Sequence, residues 1–361
     1  MNDANELISF IASMSGEGNL RVEENLGEGY VRLRVSEAER RQAKHDIQHV
    51  EDIVIEMLRN ARDAGADKVY LATTKEDGVR TLVFLDNGSG VPQDMQERIF
   101  DARVTSKLES MKMDRWGVHG RGMALFSIKQ NTDEARVVAS DVDLGSVFKV
   151  SVATDRLGER ADQSSWPQAV KDEDGHYVCA RGPHNIIRAA CEFALEELRA
   201  CDVYLGSPSE IAATLHAQAS SRLDASRLLF IDDEAELPVV DRLGLASDAE
   251  DFIRICSGLG LEMSERTAHR ILAGQIKPVR GVTARLLRER DSSSHASAPV
   301  DLAKDRRGLR IAKDDMAQFS RAVERDFNDL ASRYYLSLCG DPKIRVSRDR
   351  ITVTFDLAKE E

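Results

Sequence analysis

The stretch "EMLRNARDAGA", residues 56–66, decides how the rest of the chain is read. It closes a helical pattern running from Ser36 to about Ala64, in which Ile47, Val50, Val54, Met57, Leu58 and Ala61 fall in one stripe at 100° per residue. Ser36 and Glu39, in "SEAE", have the spacing of a capping box and mark its start. Opposite the stripe stand Glu56, Asn60 and Asp63, at i, i+4 and i+7. Helical geometry sets these at about 0°, 40° and −20°, on one face about 10 Å long. Such a face is ordinarily solvated, yet Ile53 and Ile55 flank the trio. Asn and Asp are also indifferent helix formers, so their place here needs a reason.

Two later stretches supply one. In "LVFLDNGSGVP" (82–92) a strand ends at Asp86, and Gly88 and Gly90 permit positive φ and close approach to a flat ligand. Taken alone, Asp-Asn-Gly is also an ordinary turn. In "GVHGRGMALFSIKQ" (117–130), Gly117, Gly120 and Gly122 precede a helix. A glycine loop feeding a helix N-terminus offers N–H groups and the positive dipole end to phosphate oxygens. His119 and Arg121 add donors. The Walker pattern GxxxxGK[ST] is absent from the chain.

The three pieces occur in the order ExxxNxxDA, DNGxG, GxHGxG. In this order the stretch of about residues 37–155 resembles the GHKL ATPases: the gyrase B, heat-shock chaperone, histidine-kinase and MutL ATPase domains. "NARDAGA", "VTSK" and "GVHGRGMALFSI" are most similar to the ATPase domains of MutL and topoisomerase VI. The resemblance implies a two-layer α+β (Bergerat) sandwich that binds ATP and Mg²⁺. It implies that Glu56 is the general base for the attacking water and that Asn60 gives its amide oxygen to Mg²⁺. Asp63 would support the nucleotide end of the pocket, Asp86 would accept from the adenine amino group, and Gly88 and Gly90 would make room for the ring. Gly117, His119, Gly120, Arg121 and Gly122 would hold phosphates, with Lys107 reaching them from a lid between Gly90 and Gly117. Ser146, in "GSVFKV", matches a Thr position beside the adenine.

Outside those motifs the sequence divides into an N-terminal extension (1–36), the ATP-binding region (37–158), a link (159–185), a mainly helical region (186–290) and a C-terminal helix with a β-hairpin (291–361). Within the ATP-binding region, "KVYLATT" and "RTLVFLD" read as strands joined by a turn, "ARVVAS" and "GSVFKVSVATD" as a second hairpin, and "PQDMQERIF" as a short helix. Residues 247–279 are compatible with a helix–turn–helix, with Gly260 at the turn and Ser264 as a cap. Ordinary helix packing gives the same pattern. Lys277, in "GQIK", is a candidate transducer lysine for a γ-phosphate.

Composition sets the remaining bounds. Apolar content of 42% and charged content of 31% describe a globular chain. The N-terminus lacks a signal-peptide pattern, and no window approaches the roughly 18–20 apolar residues a membrane span needs, so a cytoplasmic protein is expected. Five scattered cysteines with no CxxC pair argue against a disulfide framework or structural zinc. Net charge is −12, but residues 266–313 carry +8 and the rest −20. That basic segment is compatible with DNA. The output readings are a DNA-linked clamp that dimerises on ATP, a chaperone- or MORC-like switch acting on an unknown protein partner, and a histidine-kinase-like signalling ATPase. Against the last, His45 and His49 sit in the helix that bears the motif rather than in a separate dimerisation helix.

Overall fold

The computed structural model describes residues 22–106, 112–114, 117–119, 122–160, 162–198, 200–223, 231, 233–287, 319–325, 327–328, 336–340, 342–346 and 351–359. Strands β1 (Val22–Gly27) and β2 (Tyr30–Leu33) pair antiparallel ahead of the first helix. The expected capping box is present. Ser36 Oγ accepts from Glu39 N at 3.3 Å and Glu39 Oε2 accepts from Ser36 N at 2.8 Å, opening α1 (Glu37–Asp46). The helix does not run on to Ala64. It stops at Ile47, which is extended and buried, and α2 (Val50–Asp63) starts after His49. Asp52 makes the break: its Oδ2 accepts from both Gln48 N and His49 N at 2.9 Å, giving partners to N–H groups at the new helix start.

The two expected hairpins are both present. Strands β3 (Lys68–Glu76) and β4 (Val79–Asp86) form the first. In place of the expected helix after Pro92 come two 3-10 turns, Gln93–Met95 and Arg98–Phe100, and then β5 (Val104–Thr105), which pairs with β2. Part of the expected glycine loop is extended instead: β6 (Lys112–Asp114) pairs with β7 (Gly117–His119). Helix α3 (Ala124–Asn131) follows, then β8 (Glu134–Ser140) and β9 (Ser146–Ala153), the second hairpin.

The stretch expected as a link carries a hairpin of β10 (Gln168–Lys171) and β11 (Tyr177–Arg181), closed around the turn residues 172–175. Beyond it come α4 (Ile186–Glu196), β12 (Asp202–Gly206), α5 (Pro208–Arg222), α6 (Ala249–Gly258) and α7 (Glu265–Leu272). Strand β12 is the strand in a region expected to be mainly helical. It joins the main sheet parallel to β3, giving the mixed order β12-β3-β4-β9-β8.

That sheet is buried on both faces. Val69, Leu71, Leu82, Phe84, Phe148 and Val150 pack with α2 and α4. Their neighbours Tyr70, Ala72, Val83, Leu85 and Val147 point the other way, against Ile211 and Leu215 of α5, Phe252 and Ile255 of α6 and Ile271 of α7. The α/β sandwich is therefore present, with a further helical layer on its back. Alternation along a strand, with each side chain taking the face opposite its neighbour, delivers both cores from the same residues.

The chain forms two compact units, Met1–Arg290 and Asp291–Glu361. The second holds β13 (Leu336–Leu338) paired with β16 (Leu357–Lys359), and β14 (Lys343–Val346) paired with β15 (Ile351–Thr354). The latter pair is the expected terminal hairpin. Leu336–Leu338, expected as the end of a helix, is strand because its ladder partner is β16. Among the described residues no helix is long and apolar enough to cross a membrane.

Candidate active site

Helix α2 buries Val50, Ile53, Val54, Met57, Leu58 and Ala61 in the core and turns Glu56, Asn60 and Asp63 toward a cavity of about 600 Å³. Asp86, Gly90, Gly122 and Ser146 line the same cavity. Seven of the sequence-predicted positions thus converge from α2, β4, β9 and the loops at Gly90 and Gly122. Gly88 lies beside them, its N–H donating to Asp86 Oδ1 at 2.9 Å. Lys107, Gly120 and Arg121 fall outside the described residues, and Gly117 and His119 belong to β7. Lys277 is exposed, and Ile276 and Val279 beside it pack on the sheet face opposite α2. It does not line the cavity.

The end of the cavity around Asp86 is tightly built. Asp86 is 4% exposed and pairs across the ladder with Ser146. Ser140 Oγ accepts from Val91 N at 2.8 Å, donates to Gly145 O at 2.8 Å and lies 3.1 Å from Ser146 Oγ. Asn87, which the sequence reading passed over, accepts from Asp67 N and Lys68 N and so fastens the loop to the start of β3. The loop also docks on the end of α2, where Ser89 N donates to Ala64 O at 2.9 Å. Both glycines of this loop are closely approached by other backbone. A Cβ on Gly88 would meet Ala64 O at 2.8 Å, and one on Gly90, at φ +72°, would meet Asp141 O at 1.8 Å. Only glycine allows that interlock with the β8–β9 turn.

The opposite end is formed by the start of α3 and the residues before it. Gly122, at φ +66°, passes so close to β5 that a Cβ would lie 2.9 Å from Val104 O. Its carbonyl accepts from Arg103 N at 2.8 Å. Met123, Ala124 and Leu125 bring the N-terminus of α3 to the cavity wall. A helix N-terminus here favours an anion.

Charge in the cavity is unbalanced. The described lining carries the carboxylates of Glu39, Asp46, Glu56, Asp63 and Asp86 against the guanidiniums of Arg59 and Arg103. Buried Arg59 donates to Glu56 Oε1 at 2.7 Å. Arg62 lies 3.1 Å from both Asp63 and Glu197. Burial pushes the Glu39 carboxyl upward, but bonds from the Ser36 backbone and from Arg103 hold it below its ordinary value overall. Burial also raises the Tyr30 hydroxyl, against a lowering hydrogen bond with Ser106. The Glu56–Arg59 pair was readable as an i, i+3 contact. Arg103 and Glu39, 64 residues apart, gave no such signal.

Residues 47–140 match the family model for histidine kinase-, DNA gyrase B- and HSP90-like ATPases. This segment is a GHKL-type ATPase domain. The DNA mismatch repair protein MutL of Staphylococcus aureus, strains Newman and JH1, is 28% identical over 136 residues, covering 35% of this chain and 20% of that protein. The chain thus spans about a fifth of the length of these relatives.

Asn60 Nδ2 is buried with no hydrogen-bond partner among the described residues, so the amide sits at the wall with its orientation open. Among the described residues no cluster of three or more His, Cys, Asp or Glu could cage an ion. Magnesium sites that rely on one or two protein oxygens and substrate phosphates fit this arrangement.

Proposed function

We propose that the chain binds Mg-ATP in the cavity between α2 and the β4–β9 end of the sheet and hydrolyses it slowly, with Glu56 as the base. The observation that carries this is the convergence of Glu56, Asn60, Asp63, Asp86, Gly90, Gly122 and Ser146 on one cavity. In this reading Asp86 accepts from the adenine amino group, with Ser146 and Ser140 beside it. Asp63 closes the floor of the pocket. The backbone at Gly122 and the start of α3 receives the phosphates, and the motif resemblance supports Lys107, Gly117, His119, Gly120 and Arg121 as the further phosphate-holding residues. Asn60 Oδ1 would hold Mg²⁺, whose charge would stabilise the phosphates and offset the carboxylate excess of the lining. Glu56, oriented by Arg59, takes the proton of the attacking water.

The segment between Gly90 and Gly117 is the lid in this reading, and its closure drives dimerisation. A two-state lid changes output only if closure alters another surface. The output is a DNA-linked clamp. Supporting it are the likeness to MutL and the pair α6–α7, joined through Gly260 and capped by Ser264, whose Arg266 and Arg270 line an open shallow recess. The cytoplasm is the expected compartment.

Steady-state ATP hydrolysis by the wild-type chain and Glu56→Ala, with and without duplex DNA across a salt series, tests this. The expected result is slow wild-type turnover stimulated by DNA, fading as salt rises, and ATP binding without turnover in the variant. Normal turnover by Glu56→Ala refutes the base. Turnover indifferent to DNA favours the switch on a protein partner.

A further inference from the structure

The cavity holds a cation that the motifs do not account for. Arg103 is only 7% exposed and lines the cavity next to Gly122. Its backbone sits at φ +64°, uncommon for any residue but glycine, Asn or Asp. Two backbone bonds hold it there: Arg103 N donates to Gly122 O at 2.8 Å, and Arg103 O accepts from Leu33 N at 2.9 Å. One guanidinium nitrogen, Nη2, donates to Glu39 Oε1 at the start of α1. The Nε–H is buried with no partner among the described residues.

A strained backbone and an unmade hydrogen bond on a buried cation both cost stability, and neither improves the packing of the core. They are explained together if the guanidinium is held ready for an anion. Arg59, the other described cation of the lining, is already engaged by Glu56. Arg103 stands at the end where Gly122 and the N-terminus of α3 meet, the end that favours negative charge. Guanidinium suits phosphate oxygens because its donors form a planar fork.

We propose that Arg103 is a phosphate-contacting residue, held beside the cradle by Glu39 and turning its Nε–H to the polyphosphate of the bound nucleotide. This rests on the ATP-site reading above and adds a residue to it. Arg103 distinguishes nucleotides by phosphate number and takes no part in recognising the base.

The test is calorimetric titration of the full chain with ATP, ADP and AMP, in wild type, Arg103→Gly and Glu39→Gln, with thermal melts as a folding control. Glycine suits φ +64°, so that variant removes the side chain without straining the backbone. Losing a hydrogen bond to a charged partner should weaken ATP binding about 10- to 100-fold, with AMP affinity kept. Glu39→Gln keeps an amide oxygen for the guanidinium but loses the charge that holds it, so it should weaken ATP binding less than Arg103→Gly does, again with AMP affinity kept. Unchanged ATP affinity in Arg103→Gly overturns the proposal. Equal losses of ATP and AMP in both variants also overturn it, since the pair would then only hold α1 in place. If Arg103→Gly does not fold, Arg103→Gln is read by the same criteria. A wild-type chain that binds no adenine nucleotide would refute the ATP-site reading itself, and Arg103 with it.

Discussion

Ending the chain at Gly158, the limit of the ATP-binding motifs, should abolish folding rather than release a free ATPase domain. The cut removes every helix on the back of the sheet. Tyr70, Val83, Leu85 and Val147, each at most 2% exposed, lose their partners in α5, α6 and α7. At roughly 1.5–3 kcal/mol per buried side chain, that exposure costs about 6–12 kcal/mol. Halving it for residual burial in the unfolded chain still leaves roughly 3–6 kcal/mol, against a typical net stability of about 5–15 kcal/mol. The front face loses too, since Ile186, Ala190 and Phe193 of α4 pack in the same core as α2. Strand β3, second in the sheet, becomes a bare edge over Lys68–Ala72 once β12 is gone. The assay is urea unfolding followed by circular dichroism, with size exclusion, on chains ending at Gly158 and at Leu287. The longer chain should unfold cooperatively and the shorter aggregate or show no transition. A cooperative transition in the shorter chain, within about 2 kcal/mol of the longer, would refute the claim that the back layer is part of the folding unit.

Asp86→Asn should weaken ATP binding about 10-fold or more by turning a buried acceptor partly into a donor facing the adenine amino group; unchanged affinity would remove Asp86 from base recognition. Cys339 should be alkylated first at pH 8, because it is exposed while Cys179, Cys191, Cys201 and Cys256 are buried. Burial pushes the Cys201 and Cys256 thiols up to about 12, with the Glu197 charge adding at Cys201, so the reactive thiolate is scarce at both. Mass spectrometry showing either of these labelled as fast as Cys339 in the folded protein would contradict that placement.

Much of the site was legible because it is written in local spacing. The trio on α2, the strand ending at Asp86 and the capping box at Ser36 each depend on a few neighbouring residues, and each is where the pattern puts it. The break at 47–49 was not legible, because the apolar stripe runs unbroken across it while Asp52 caps a new start. The back layer did leave a mark. "VYLA" and "LVFL" are continuous apolar runs, the signature of strands covered on both faces, rather than the alternation of a half-exposed sheet. Strand β12 is five residues among helices, and its identity depends on Lys68–Ala72, more than a hundred residues earlier. Arg103 depends on contacts with Leu33, Glu39 and Gly122, which only the folded chain assembles.

The two ends of the cavity are tied to different parts of the molecule, and this constrains how ATP can act at a distance. At the Asp86 end, the β8–β9 turn is locked between the Gly90 backbone and the back layer: Asp141 O fills the space beside Gly90, and Leu144 O accepts from Val239 N at 2.9 Å. At the Gly122 end, Arg103 links the glycine backbone to β2 through Leu33 and to α1 through Glu39. A ligand shifts an equilibrium only through contacts that differ between states. ATP and ADP carry the same base, so contacts at Asp86 cannot distinguish them, and neither can a back layer coupled only to that end. In the site we propose, the γ-phosphate would meet the other end. Its presence would then be read by α1 and the β1–β2–β5 sheet, and a DNA-facing α6–α7 pair would receive the signal through lid closure or a second copy of the chain rather than through the main sheet.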